Sequence, residues 1–392
     1  MKKVVYFDNA ATTPVRAEVM AGMLTYFGHE FANPASHYRF ATKPFNELDE
    51  ARAKVANAIG AAEASEIYFT GSGTEADNWA IQGVAQANAK KGKHIITTEF
   101  EHHAVLETCK YLESKGFEVT YIKPDSDGMI DPEDIKNAIR PDTVLVSCIY
   151  ANNEVGTIQP IAEIGKIARA AGVLFHTDAV QAVGHIPVDV VGDSVDLLSL
   201  AAHKFYGPKG VGALYIRKGV KIAPMIFGGM QEGNKRAGTH NVPGIVALGI
   251  AIDYAIVEMK SEAERLQSFR DKLINGIIKT IPHTKLNGGA NRLPGIVNIS
   301  FRFIESEAIL NLLDFKGICA SSGSACNSDT LEASHVMIAM GISHEEANGT
   351  VRFSLGRYNT EADVDYLLAT LPPIIQKLRD MSPLYDDFKR NK

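Results

Sequence analysis

The chain is poor in several things, and each shortage excludes something. It has four cysteines in 392 residues, Cys109, Cys148, Cys319 and Cys326, and no CxxC pair. That density argues against a disulfide scaffold and points to a reducing, cytoplasmic compartment. His102 and His103 are adjacent, which misses the usual spacing of zinc ligands. There is no basic block, and the formal net charge is −6, against nucleic acid or an anionic membrane surface as a main partner. The opening apolar run "VVYF" stops at Asp8, too soon for a signal peptide. No apolar run is expected to span a bilayer, since "VALGIAIDYAIVEM" is broken by Asp253 and Glu258.

What remains is ordinary globular composition, 45% hydrophobic and 22% charged, in a chain too long for one simple core. From about residue 50 to 240, helical stretches such as "NELDEARAKVANAIG" alternate with short apolar runs: "EIYFT", "HIITTE", "EVTYI", "TVLVSCIY", "VLFHTD", "VDLLSL" and "GALYI". This predicts βαβ units and an α/β fold with a mostly parallel, helix-covered sheet. Residues 244–281 read as a long helix, with Leu266, Phe269, Leu273 and Ile277 forming one apolar stripe. The remainder reads as a smaller α+β domain with strands in "GIVNISFRF", "GICAS" and "TVRFSLGR" and an N-cap at Thr360. The expected division is a large domain of residues 15–258 and a small one of residues 1–14 with 259–392.

In an open α/β sheet, chemistry gathers at the C-terminal ends of strands. After "EIYFT", Gly71 and Gly73 lead through Thr74 into a helix, whose N-terminus suits phosphate. Taken alone, Thr74 reads equally well as an ordinary N-cap. His102 follows "HIITTE", Asn152, Asn153 and Glu154 follow "TVLVSCIY", and His176, Asp178 and Gln181 lie in and after "VLFHTD". An Asp that ends a buried strand needs a partner. In "VDLLSLAAHKFYGPKGVGALYI", His203 and Lys204 sit in a Gly-rich turn between two apolar strands, a place for an amine held in a pocket. Lys204, Asp178 and the Gly71–Thr74 turn together match the needs of pyridoxal phosphate: an amine, a carboxylate for the ring nitrogen and a phosphate cradle. In "VRFSLGR", strand alternation puts Val351 and Phe353 on one face and Arg352 on the other, free to fork onto a carboxylate.

The ordered set "YFDNAATTPV", "ANPASHYRF", "YFTGSGTEADNWAIQG", "EHHAVLET", "ANNEVGTIQPI", "HTDAVQAVG", "HKFYGPKGVGALYIRKG", "GGMQEGNKRAGTHNVPGIV", "SSGSACNS" and "VRFSLGRYNT" resembles the cysteine desulfurases of the nitrogen-fixation and iron–sulfur-cluster-assembly type. These belong to the class V aminotransferase superfamily, of the pyridoxal-phosphate fold type I. The resemblance implies conversion of L-cysteine to L-alanine, with the sulfur taken onto Cys326 as a persulfide. It implies that Lys204 carries the cofactor and shuttles the Cα proton, that His102 stacks on the ring, and that Asp178 pairs with the ring nitrogen. By the same resemblance, Asn153 and Gln181 hold the ring hydroxyl side, and Gly73, Thr74 and His203 bind phosphate. Thr239 reaches the partner's phosphate in a homodimer, and Arg352 with Asn33 clamps the substrate carboxylate. Cys326 is also the residue through which a transient iron–sulfur cluster would be held, and a scaffold or other acceptor protein is the implied partner.

Two departures stand out. Ala201 replaces a serine common two residues before the His–Lys pair, and Met230 replaces a glycine in "GGM". The remaining readings are an aminotransferase or selenocysteine lyase on the same cofactor, or a non-catalytic partner in cluster assembly. Cys109 and Cys148 read as core, Cys319 reads as buried at a strand end, and a Cys319–Cys326 disulfide stays open. The small residues around Cys326, Gly323 among them, suggest a mobile loop that carries the sulfur outward.

Overall fold

The computed structural model describes residues 4–322 and 333–391. Cys326, Gly323 and the expectations placed on their loop lie outside the described residues.

A seven-stranded sheet organises the larger part of the chain. Its order is Ile67–Thr70, Gly212–Ile216, Leu197–Ala201, Leu174–Asp178, Thr143–Ser147, His94–Thr98 and Glu118–Ile122. Only Gly212–Ile216 runs antiparallel to its neighbours. Thr143–Ser147 and Leu197–Ala201 are buried at every position, as expected of a parallel sheet covered on both faces. One face carries the helices Gly73–Asn88 and His103–Glu113, whose Trp79, Ile81, Val84 and Val105 pack on Ile95, Leu145 and Leu214. The other face packs Val146, Phe175, Leu198 and Leu200 against residues of the helices Thr42–Ala58, Ile161–Ala170 and Val242–Thr280. Every predicted strand of this region is present.

A second core gathers Val5 and Phe7 with Leu266, Leu273, Ile277, Val297, Ile299, Val351, Phe353, Val364 and Leu367. Its antiparallel sheet has the order Thr350–Ser354, Ile296–Phe301, Thr284–Leu286. Val5–Tyr6 pairs with Ile318–Cys319. Val336, Met337, Met340 and Ile342, late in the sequence, pack instead into the larger core. Thr360 caps the helix Glu361–Asp380 as expected, in a reciprocal capping box with Asp363.

The helix Val242–Thr280 is the long helix expected over residues 244–281. A window in it is apolar enough to cross a membrane by length and composition, with mean hydropathy 1.7, but half of that window is buried inside the protein. It packs against the helices Ala17–Gly28 and Thr42–Ala58, and Asp253 ion-pairs with Lys54 at 3.1 Å. The helix serves as a core element.

The turn after Met230 holds three successive left-handed residues, Glu232 (φ 46°), Gly233 (φ 60°) and Asn234 (φ 64°). A side chain at φ > 0 is costly unless its surroundings over-determine it. Here the buried Glu232 carboxylate accepts both Nη1 and Nη2 of Arg52 at 2.8 Å, the Phe69 N–H at 2.8 Å, and faces His240 Nε2 at 2.8 Å. Burial alone would raise the Glu232 pKa, but these partners outweigh it and hold the carboxyl at about 2. The stability it contributes is present above the ordinary value of 4.5 and is lost as pH falls through about 2. Met230 itself has φ −83° and a largely exposed side chain, so the backbone makes no demand for glycine there. Glu232→Ala strands the Arg52 guanidinium, and a loss of about 3–5 kcal/mol is expected in urea unfolding; an unmoved midpoint would refute this anchoring.

Candidate active site

The N-terminal segment after Tyr6 crosses from the smaller sheet onto the strand ends of the larger one. The Asn9 side-chain amide donates to the Ser354 carbonyl at 2.8 Å, and the Thr13 hydroxyl and N–H both donate to the His203 carbonyl, at 2.9 and 3.0 Å. Thr13 Oγ1 accepts the N–H of Tyr206, which sits at φ 67°. Gly207 is required beside it, because a Cβ there would lie 2.7 Å from the Ala202 Cβ. The turn carrying Lys204 is thus stapled on both sides. Lys204 Nζ donates to the carbonyls of Ala10 at 2.6 Å and Ala11 at 2.9 Å. Gln181 Nε2 donates to the same Ala10 carbonyl at 2.9 Å.

Asp178 ends the strand Leu174–Asp178 and is buried, with Oδ1 accepting the Val180 N–H at 2.9 Å. Burial pushes its carboxyl above the usual range, while the Val180 N–H and the Lys204 ammonium pull the other way. His102 is the N-cap of His103–Glu113. Its Nδ1 accepts the Ala104 N–H at 3.1 Å, which leaves the proton of the neutral ring on Nε2. Burial first, and then Lys204 and the neighbouring histidines, lower its pKa to about 4. Donor atoms of Asp178, His102 and a third residue, Asp77, lie within 4.8 Å of one another.

The cradle differs in detail from the expectation. The cap of Gly73–Asn88 is Ser72, whose Oγ accepts the Glu75 N–H at 3.0 Å, and Thr74 lies in the first turn, exposed. The amides of Gly73 and Thr74 precede that bonded turn and have no hydrogen-bond partner among the described residues. A Cβ on Gly73 would meet Val180 Cγ2 at 2.7 Å and the Ala201 Cβ at 3.5 Å, so only glycine fits there. His203 Nδ1 faces Thr12 Oγ1 at 3.1 Å, and burial, then Lys204, lowers its pKa to about 4. Beside the cradle is a groove of about 360 Å³ lined by Thr74, Asn78, His102, His103 and Glu107.

Arg352 is buried and projects opposite to Val351 and Phe353, as strand alternation requires. Its Nη2 donates to Asp8 Oδ1 and its Nη1 to the Asn153 carbonyl, both at 2.9 Å; its Nε has no partner among the described residues. Its backbone pairs with Ser321 in both directions. Asn33 is exposed, its Oδ1 accepting the Ala35 N–H, with no hydrogen bond to Arg352. Thr239 is also exposed. Cys319 is partly exposed rather than buried, because its strand pairs only with Val5–Tyr6 at the edge of the smaller unit. Cys109 and Cys148 are buried free thiols, as expected of core cysteines.

Sequence reading missed Asp8, Asp77 and the carbonyls of Ala10 and Ala11. Asp77 left a signal: it interrupts the buried face of its helix formed by Gly73, Ala76, Ala80 and Val84. The backbone acceptors leave none.

An amine, a buried carboxylate facing it and a glycine-tight amide cradle on one sheet edge fit pyridoxal phosphate, and together with the fold they define a pyridoxal-phosphate enzyme of fold type I. The aminotransferase class-V family model matches residues 5–367, and the chain belongs to that family. Among its relatives, the cysteine desulfurase IscS of Methanosarcina thermophila is 57% identical over 97% of this chain and 94% of its own. Cysteine desulfurase 2 of Trichormus variabilis is 48% identical over 98% of this chain and 96% of its own. A solved NifS-like protein superposes with TM-score 0.90 at 41% identity, covering 96% of this chain and all of its own. A structure titled SspA in complex with cysteine gives 0.81 at 38%, covering 91% and 100%.

His102 is expected to stay neutral from about pH 5 to 8. Its contribution to stability is present above the ordinary value of 6.5 and is lost as pH falls through about 4. NMR titration of the His102 ring, assigned by its loss in His102→Gln, checks this; a midpoint at the ordinary value would contradict the burial argument.

Proposed function

We propose that this chain is a cysteine desulfurase that converts L-cysteine to L-alanine and takes the sulfur onto Cys326 as a persulfide for a sulfur-acceptor protein. The observation that carries the reading is the arrangement of Lys204, Asp178, His102 and Gln181 beside the Gly73–Thr74 turn, in a chain that aligns with cysteine desulfurases over nearly its full length.

When bound, the cofactor supplies an electron-withdrawing ring that makes the substrate Cα proton acidic. The chain's own residues do the rest. Lys204 would hold the cofactor through its amine and move the substrate Cα proton. Asp178 would keep the ring nitrogen protonated, and His102 would offer its Nε2–H to the ring. Asn153 and Gln181 serve the ring hydroxyl side. Gly73, Thr74 and His203 receive the phosphate. Arg352, with Nε still to be satisfied, takes the substrate carboxylate together with Asn33. Cys326 attacks as the thiolate: a sulfur–sulfur bond forms as the substrate Cβ–S bond breaks, and the electron pair left on Cβ is protonated to give alanine. Under a two-unit division into residues 15–258 and 1–14 with 259–392, Arg352 and Cys326 belong to the smaller unit and Lys204 to the larger, although Val336, Met337, Met340 and Ile342 pack on the larger core.

The working form is a homodimer in which Thr239 reaches the partner's phosphate. Exposed Phe31 and Phe40, whose rings meet at 5.3 Å, and exposed Phe45 and Met230, which line one groove, support it, because clustered exposed apolar side chains mark an interface. The compartment is the cytoplasm, in keeping with Cys109 and Cys148 as reduced thiols, and the acceptor is an iron–sulfur scaffold or another sulfur-carrying protein.

Mass spectrometry after incubation with L-cysteine is expected to show one added sulfur on Cys326, removed by an acceptor. Cys326→Ala should abolish desulfuration, and undiminished alanine formation from cysteine in that variant would exclude the mechanism. Ala201→Ser restores a hydroxyl beside Gly73 and is expected to slow cofactor loss, with one hydrogen bond to a charged group worth about 1.5–3 kcal/mol. Equal off-rates for the two proteins would sink that account of Ala201.

A further inference from the structure

Behind Asp178 lies a second buried acid that the reaction does not use. Asp77 projects from the helix Gly73–Asn88 toward the strand Leu174–Asp178 and is almost fully buried. Its Oδ1 lies 3.5 Å from His176 Nε2 and has no hydrogen-bond partner among the described residues. The His176 ring is also fully buried, with Nδ1 at 2.9 Å from Ser147 Oγ and Nε2 at 3.0 Å from Ser199 Oγ. The titratable groups facing this chamber are Asp178 and His176 from their strand, Glu101 and His102 from the segment after His94–Thr98, and Lys204 from the turn after Leu197–Ala201.

We infer that Asp77 is a positioning residue for the cofactor's carboxylate: it is held as the neutral acid against His176, so that Asp178 is the anion of the pair. The inference rests on the cofactor reading above. Two carboxylates this close in a buried chamber cannot both ionise without a cation for each. Asp178 has the Val180 N–H and the Lys204 ammonium to favour its charge. Asp77 has no cation, only the Ser199 hydroxyl and a neutral imidazole, since burial depresses the His176 pKa to about 3. Burial, reinforced by Asp178, correspondingly pushes the Asp77 carboxyl well above the usual range. The neutral Asp77 carboxyl then lies beside His176 Nε2, with Oδ1 3.5 Å from it, while Ser199 Oγ takes the hydrogen-bonding position at 3.0 Å from that nitrogen and Ser147 Oγ faces Nδ1. A single negative charge opposite the ring nitrogen keeps that nitrogen protonated without over-neutralising the Lys204 side of the site.

The test is infrared difference spectroscopy, wild type minus Asp77→Asn, near neutral pH, on both the apoprotein and the cofactor-loaded enzyme. A protonated-carboxyl band present in wild type and absent from Asp77→Asn in both forms is expected. The pH midpoint of the Lys204-bound cofactor's absorbance should move by less than about 0.5 unit in that variant. An ionised-carboxylate difference band, with a midpoint lowered by about 1 unit or more, overturns the inference. His176→Gln is the second variant: the Asp77 acid band should change frequency as its neighbour changes, and an unmoved band overturns the pairing. Failure of the cofactor reading is separate, because a wild-type protein that forms no Lys204-linked chromophore can still show the Asp77 band in the apoprotein.

Discussion

The Ala10 carbonyl oxygen accepts two hydrogen bonds, from the ammonium of Lys204 at 2.6 Å and from the amide of Gln181 at 2.9 Å. The site depends on this pairing. A lysine between two apolar strands has four rotatable bonds and no reason of its own to point anywhere. It is directed by a backbone acceptor from a segment whose other end is a strand of the smaller unit, paired to Ile318–Cys319. The same segment, through Asp8, holds Arg352. The amine and the carboxylate-binding guanidinium are therefore fixed by one short stretch of main chain. Neither could shift without disturbing the two cores between which that stretch runs.

Desolvation is the second constraint. At the strand ends the protein buries Asp77, Glu101, Glu154, His176 and Asp178 within a narrow region. Burial pushes Glu101 up to about 8, with the Thr98 hydroxyl and the Ile149 N–H pulling against it. Glu154 is raised likewise, despite the Ser334 hydroxyl bonded to it at 2.5 Å. A site that keeps most of its acids and imidazoles neutral has little charge to cancel. The few charges retained, at Lys204, Asp178 and Arg352, then act in a low-dielectric setting where each is worth more. Stability is given up for this, and anchors such as Arg52 on Glu232 stand elsewhere in the fold.

Much of this was legible in the chain. Continuous apolar runs gave the central strands, because a sheet covered on both faces leaves no alternation to read. Glycine at positions 73 and 207 was legible as turn chemistry, while the structure alone supplies the atoms that a Cβ would meet, Val180 Cγ2 and Ala202 Cβ. Other features were misread where two neighbours could do the same job. Ser72 caps the helix in place of Thr74, because the capping residue must have extended backbone, and Ser72 does, at φ −171° and ψ 170°.

The sequence alone determined the alternation of strands and helices, the side of its strand from which Arg352 projects, and the set of residue types that matches pyridoxal phosphate. These follow from local periodicity and from side-chain chemistry, which a linear chain carries in full. Tertiary structure alone decided that Lys204 is aimed by the Ala10 and Ala11 carbonyls, that His102 keeps its proton on Nε2, that Asp8 waits on Arg352, and that Asp77 stands behind Asp178. Each of these depends on main-chain acceptors or on desolvation produced by segments distant in sequence. Backbone carbonyls are the same in every residue, and burial is a property of the packed whole, so neither is written in any one position.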